Sequence, residues 1–103
     1  MTYYQVFISA ENKEQATKIL DALLAEKLIL GGPIFEGPAK FWWKGEIIEM
    51  PYAYLFTYTT GRLKEQVTSV ASKASAEEVP MLSFIPFEPN RELEKLIDDT
   101  LGR

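Results

Sequence analysis

The stretch Pro51-Tyr52-Ala53-Tyr54-Leu55-Phe56-Thr57-Tyr58-Thr59-Thr60 decides how this chain folds. Tyr52, Tyr54, Phe56 and Tyr58 alternate with Ala53, Leu55, Thr57 and Thr59, so the two sets fall on opposite sides. A side-chain period of two is the mark of a β-strand, and aromatic and β-branched residues suit its pleated surface. No charge interrupts either side, so the strand is expected to be covered on both faces. One cover is a helix of the same chain; the other has no internal supplier. Four aromatics in a row reach the size at which an exposed apolar patch calls for a partner. Oligomerisation through that sheet face is therefore expected on physical grounds.

Toward the N-terminus, residues 2–10 are β-branched and aromatic and read as a strand. Asn12 with Gln15 forms a capping-box pattern, and Ala16, Ile19, Leu20, Leu23 and Leu24 recur at helical spacing, which predicts a helix over about 12–27. Residues 28–37, broken by Gly31, Gly32, Pro33 and Gly37, read as an irregular or bent strand. Pro38 to Glu49 read as strand again. Two turns fit this region: Lys44-Gly45 as a hairpin, or a corner at Glu49-Met50-Pro51 that leaves Gly45 as a bulge within a long strand.

Toward the C-terminus, Thr60 is a candidate N-cap for a second helix with Leu63, Val67, Val70, Ala71 and Ala74 on one face. Val79 to Phe87 read as a last strand whose two prolines favour an edge or an end. Pro89-Asn90 opens a third helix, with Leu93, Leu96, Ile97 and Leu101 as its apolar stripe and Gly102 at its stop. Strand, helix, strand, strand, helix, strand and a terminal helix make an α+β, ferredoxin-like βαββαβ fold with an additional C-terminal helix and an antiparallel sheet. No linker divides the chain, so residues 1–103 are read as a single domain.

Composition narrows the function. The 103 residues are 47% hydrophobic and 25% charged, with a formal net charge of −4 and neither His nor Cys. Ser-His-Asp triads, thiolate nucleophiles, Cys/His zinc sites and disulfide frameworks are thereby excluded. Acid–base catalysis would need a strongly shifted Glu, Asp, Lys or Tyr, so an enzyme is disfavoured. No run of Lys and Arg suggests nucleic acid, and no apolar run approaches the roughly 20 residues that span a bilayer. The opening Met1-Thr2-Tyr3-Tyr4-Gln5-Val6 lacks the features of a signal peptide, and the absence of Cys fits a reducing compartment. A soluble, cytoplasmic protein is expected.

Several segments together resemble the CutA divalent-cation-tolerance family. They are Ala25-Glu26-Lys27-Leu28 at the end of the first helix, Phe41-Trp42-Trp43-Lys44-Gly45-Glu46-Ile47, the strand closing on Thr59-Thr60, and Glu78-Val79-Pro80 before a strand ending Ile85-Pro86. The resemblance runs from about residue 4 to residue 101, and Trp43-x-Gly45-x-Ile47 is among its most specific pieces. It implies a PII-like homotrimer whose three sheets join into a central body, covering the aromatic face. It also implies that the long hairpin turns near Glu49-Met50-Pro51. Where relatives carry Ala-Ala-Cys this chain has Ile29-Leu30-Gly31, and where they carry His-Pro-Tyr-x-x-Pro-Glu it has Ser75-Ala76-Glu77-Glu78-Val79-Pro80-Met81. Both residue types implicated in copper binding by that resemblance are missing. Carboxylates suit harder ions than copper, so copper is disfavoured and a harder divalent cation is the metal to expect, if any.

Each candidate site has a plainer competitor. Glu77 and Glu78 are the metal candidates, half of a hard-cation site, and the competing reading is a solvated acidic turn capping the second helix. Trp42, Trp43 and Lys44 could stack on a planar ligand, but Trp is favoured at subunit contacts and packing is the preferred reading, with Trp42 still able to flank a cleft. Glu46 and Glu49 read as ordinary hairpin charges, and Ser69, Ser72 and Lys73 as a polar helix face. The glycines at 31, 32 and 37 are not a phosphate loop, since no Gly-Lys-Ser/Thr follows. The cleft or interface residues are thus Trp42, Trp43, Lys44, Glu46, Tyr52, Tyr54, Phe56 and Tyr58. The expected function is a non-enzymatic, self-associating protein linked by its resemblance to divalent metal tolerance, binding an ion or small molecule between subunits. The alternative is a PII-like sensor of a small anionic effector such as a nucleotide, met by Lys40, Lys44, Arg62 and Lys73.

Overall fold

The strand that opened the reading extends well beyond the quoted residues. In the computed structural model, which describes residues 1–102, β3 spans Glu46–Thr60 and pairs along its whole length with β2, Ile34–Trp43, and the segment before it. The other elements are β1 (Tyr3–Ala10), α1 (Lys13–Ala25), α2 (Lys64–Ala74), β4 (Leu82–Phe87) and α3 (Arg91–Leu101), with a short 3-10 turn over Gly61–Leu63. All strand pairs are antiparallel and the order is β2-β3-β1-β4, the split arrangement expected from the sequence.

The register sorts the side chains onto two faces. Val6, Ile8 and Ala10 lie opposite Thr57, Leu55 and Ala53. All six are buried, in one core with Ile19, Leu23, Val67 and Ala71 from α1 and α2. The opposite face carries Phe7 across from Phe56 and Gln5 across from Tyr58. Rings run along it in contact: Phe7 to Phe56, Phe56 to Tyr58 and Tyr58 to Phe87, each with centroids 5.0–5.2 Å apart. α3 lies against β3 and closes one end of this face, where the Tyr3 hydroxyl donates to Asp98 and Ile97 is buried. The rest is open: Phe35 is 59% exposed and Ile85 45%.

Asn12 caps α1 by accepting from the Gln15 amide, and Asn90 caps α3 in the same way from Leu93, as their positions predict. Thr60 does not cap α2. It is the last residue of β3, paired with Tyr3 at the end of the face that α3 closes, and its hydroxyl is buried there with no partner among the described residues. The bent strand expected over 28–37 is a loop to Pro33 followed by β2. The last strand begins at Leu82 rather than Val79.

The hairpin turn is the main correction. The corner near Glu49-Met50-Pro51 implied by the family resemblance is not there; β2 and β3 are joined by Lys44-Gly45, with Trp43 opposite Glu46. Lys44 has φ +49° and Gly45 φ +82°. Two positive φ values define the two-residue turn whose twist matches that of the flanking strands. Pro51 does not bend the strand, because it lies opposite Pro38. Counted back from the turn, that pair is non-hydrogen-bonded, so the missing N–H groups face outward and no ladder bond is lost. β1 pairs only with 53–60, so the hairpin projects past the sheet with residues 46–52 of β3 bare of ladder partners on one edge.

Candidate functional site

The projecting hairpin and the segment between α2 and β4 enclose a groove of about 700 Å³. Its aromatic lining comes mostly from open-face residues of the hairpin: Phe41, Trp43, Tyr52 and Tyr54. Phe41 and Tyr52 have ring centroids 5.4 Å apart, and Tyr52 meets Tyr54 edge-on at 5.9 Å. The opposite wall is the 76–81 segment, which Ser9 anchors: its amide donates to the Met81 carbonyl and its hydroxyl accepts from the Met81 amide.

Glu77 is the polar centre of this wall. Its carboxylate accepts from the Ser9 hydroxyl at 2.7 Å and from the Tyr52 hydroxyl. It is therefore half-buried against the sheet, and the solvated turn at the end of α2 is not what this residue forms; Ser75 caps that helix. Burial and the Glu77 hydrogen bond push the Tyr52 phenol up to about 12, so it stays a donor at any ordinary pH. Glu78 turns the other way and pairs with Lys44 Nζ at 3.2 Å. The two adjacent carboxylates take different partners from a bent segment, and both border the groove.

The remaining candidates separate. Trp42 points to the face opposite Trp43 and is 70% exposed at the hairpin tip beside exposed Ile47, yet it still borders the groove, as a residue flanking a cleft would. Glu46 and Glu49 lie on opposite faces of β3, and Glu49 pairs across the ladder with Lys40 at 2.8 Å. Phe56 and Tyr58 belong to the ring row leading to Phe87 and do not line the groove. Of the four cations grouped for phosphate, Lys40 and Lys44 are on the hairpin. Arg62 donates to the Leu101 carbonyl, and Lys73 lines a shallow hollow between α1 and α2 with Ser69. Sequence reading did not single out Ser9, Phe41 or Met81; the side-by-side placement of β1 and the β4 approach was not visible in any local pattern.

Among the described residues no group of three His, Cys, Asp or Glu converges as a metal site. With neither thiolate nor imidazole in the chain, the donor set does not fit a copper centre.

A split βαβ sheet with one helix-covered face, one largely open aromatic face and a projecting hairpin defines a ferredoxin-like protein with one uncovered sheet face. A sequence profile of the CutA1 divalent ion tolerance protein family matches residues 4–97, and the chain belongs to that family. Among solved structures, the periplasmic divalent cation tolerance protein CutA of Archaeoglobus fulgidus is 26% identical with a TM-score of 0.89, covering 96% of this chain and 98% of its own. The divalent cation tolerance protein of Thermus thermophilus is 24% identical with a TM-score of 0.88, covering 97% and 99%. CutA1 of Oryza sativa, at 19% identity, has a TM-score of 0.89 and covers 97% and 94%. No curated protein sequence matches significantly.

Proposed function

We propose that this protein acts without catalysis, as a homotrimer that serves divalent-ion tolerance by binding a ligand or ion in clefts where its hairpins meet neighbouring subunits. The carrying observation is the unsatisfied surface of the single chain. Phe35 and Ile85 are exposed on the open face outside the groove lining, and the hairpin presents bare backbone along its projecting edge and an apolar tip of Trp42 and Ile47. A bare strand edge is a template for pairing with another chain, and an apolar patch beside it adds area to the same contact. Burying Phe35, Ile85 and the hairpin edge against further copies would answer both at once, with the groove beside Glu77 left open at the rim of the contact. The Cys- and His-free composition directs the role away from copper–thiolate chemistry.

Sedimentation tests the assembly. The wild type is expected at three times its 11.7 kDa chain mass. Phe35→Glu, at a position exposed in the single chain, should keep the fold by circular dichroism and sediment as a monomer, since a charge at an apolar contact is strongly disfavoured. A monomeric wild type would sink the trimer.

A further inference from the structure

The chain already seats one of its own ammonium groups beside the groove. Lys44 Nζ lies 5.4 Å from the centroid of the Trp43 ring while it pairs with Glu78. Phe41, Tyr52 and Tyr54 continue the aromatic wall inward, and Glu77 closes it, held by two hydroxyls. Lys40, which lines the groove, is paired with Glu49, and Lys44 at the hairpin turn is paired with Glu78. Glu11, Glu77 and Glu78 also line it; Glu78 holds Lys44, and neither Glu11 nor Glu77 has a cationic partner among the described residues.

We infer that this groove binds a small organic cation of the alkylated-ammonium class. Aromatic faces attract cations through the ring quadrupole, most strongly where water is displaced, and they are the usual walls for quaternary ammonium groups. Glu77, held in place by Ser9 and Tyr52, supplies the counter-charge without a conformational search. A phosphate or carboxylate ligand would instead meet Glu11 and Glu77, and a hard divalent ion would lack the converging oxygens it needs. A volume of about 700 Å³ leaves space for a substituent beyond the ammonium head. The inference rests on the proposed function, in that the groove must stay open at the rim of the assembly.

The test titrates the full-length protein with choline and with its neutral isostere 3,3-dimethylbutan-1-ol, followed by tryptophan fluorescence. ATP and manganese are run as further ligands, with sedimentation in the same buffer. Choline should bind saturably and about tenfold more tightly than the isostere. Glu77→Gln and Tyr54→Leu should each weaken choline about fivefold or more with the melt retained; if Glu77→Gln fails to fold, Tyr54→Leu carries the test. Lys44→Asn should strengthen choline binding by removing the resident ammonium. Equal affinity for choline and the isostere, or tighter binding of ATP or manganese lost in the same variants, overturns the inference. So does choline binding by the Phe35→Glu monomer but not by the wild type, which would mean that a second copy fills the groove. A wild type that sediments as a monomer and still binds choline supports the ligand class while removing the assembly.

Discussion

Tyr52 shows how one residue can be read correctly for its type and incompletely for its role. Its place in an alternating aromatic row was plain from sequence; its hydroxyl bond to Glu77, 25 residues away, was not. The bond has a consequence for stability. The folded-state phenol is raised from 10 to about 12 by burial and the Glu77 carboxylate, and Tyr3 is raised to about 12 by burial and Asp98. Their contribution is complete below pH 10, where both states are protonated. It is lost as pH rises through 12, because the unfolded phenols ionise first. Urea unfolding should therefore give a constant midpoint from pH 8 to 9.5 and a falling one toward pH 12, with a smaller fall in Tyr52→Phe. Lys44 makes the opposite case, a residue whose type is suboptimal for its backbone. At φ +49° a lysine is strained, and Asn tolerates that region better. Lys44→Asn loses an exposed pair worth a few tenths of a kcal/mol and relieves roughly 1 kcal/mol of strain. A slightly higher melting temperature is expected by calorimetry.

At the scale of elements, the helices were the most legible parts. Their caps and apolar stripes are local signals, and α1 and α3 start where Asn12 and Asn90 place them. The hairpin was legible only as two alternatives, because Lys44-Gly45 and Met50-Pro51 both carry turn chemistry; the pairing of Pro38 with Pro51 decides between them. The loop before β2 was misread as a strand because its regularity comes from a neighbour. Leu30 donates to the Tyr58 carbonyl, Thr57 Oγ1 bridges the Gly31 amide and carbonyl, and Thr59 Oγ1 donates to the Leu28 carbonyl. Gly32 lies so close to β3 that a Cβ there would collide with the Phe56 carbonyl oxygen. Thr57→Val should leave the half-buried amide and carbonyl of Gly31 without that partner and cost about 1 kcal/mol, measurable as a lower urea midpoint with an unchanged slope.

For the whole molecule, the decisive property is a sheet with one satisfied face. The helix side is closed by a packed core, and the other is closed by α3 at one end only. On the proposed trimer, the subunit contact and the groove share this face, so a charge at Phe35 should act on the contact and one at Tyr54 on the groove. Metal response is the measurement expected to separate this chain from a copper protein. A ligand at one hundred times its dissociation constant adds about 2.7 kcal/mol to stability. In a thermal-shift series copper should raise the melt no more than manganese does; a large copper-specific rise would refute the exclusion based on the missing Cys and His.

The sequence by itself determined the order of elements, the division of the central strand into an aromatic and an aliphatic side, and the absence of thiolate and imidazole chemistry. These follow from periodicity and composition, which act over a few residues or need no geometry at all. Where the hairpin turns, and that Ser9, Tyr52 and Glu77 meet while Glu78 reaches Lys44, came from the folded chain alone. Each of those depends on strand register and on the meeting of segments dozens of residues apart. A register shift of one residue would send every one of these side chains to the other face.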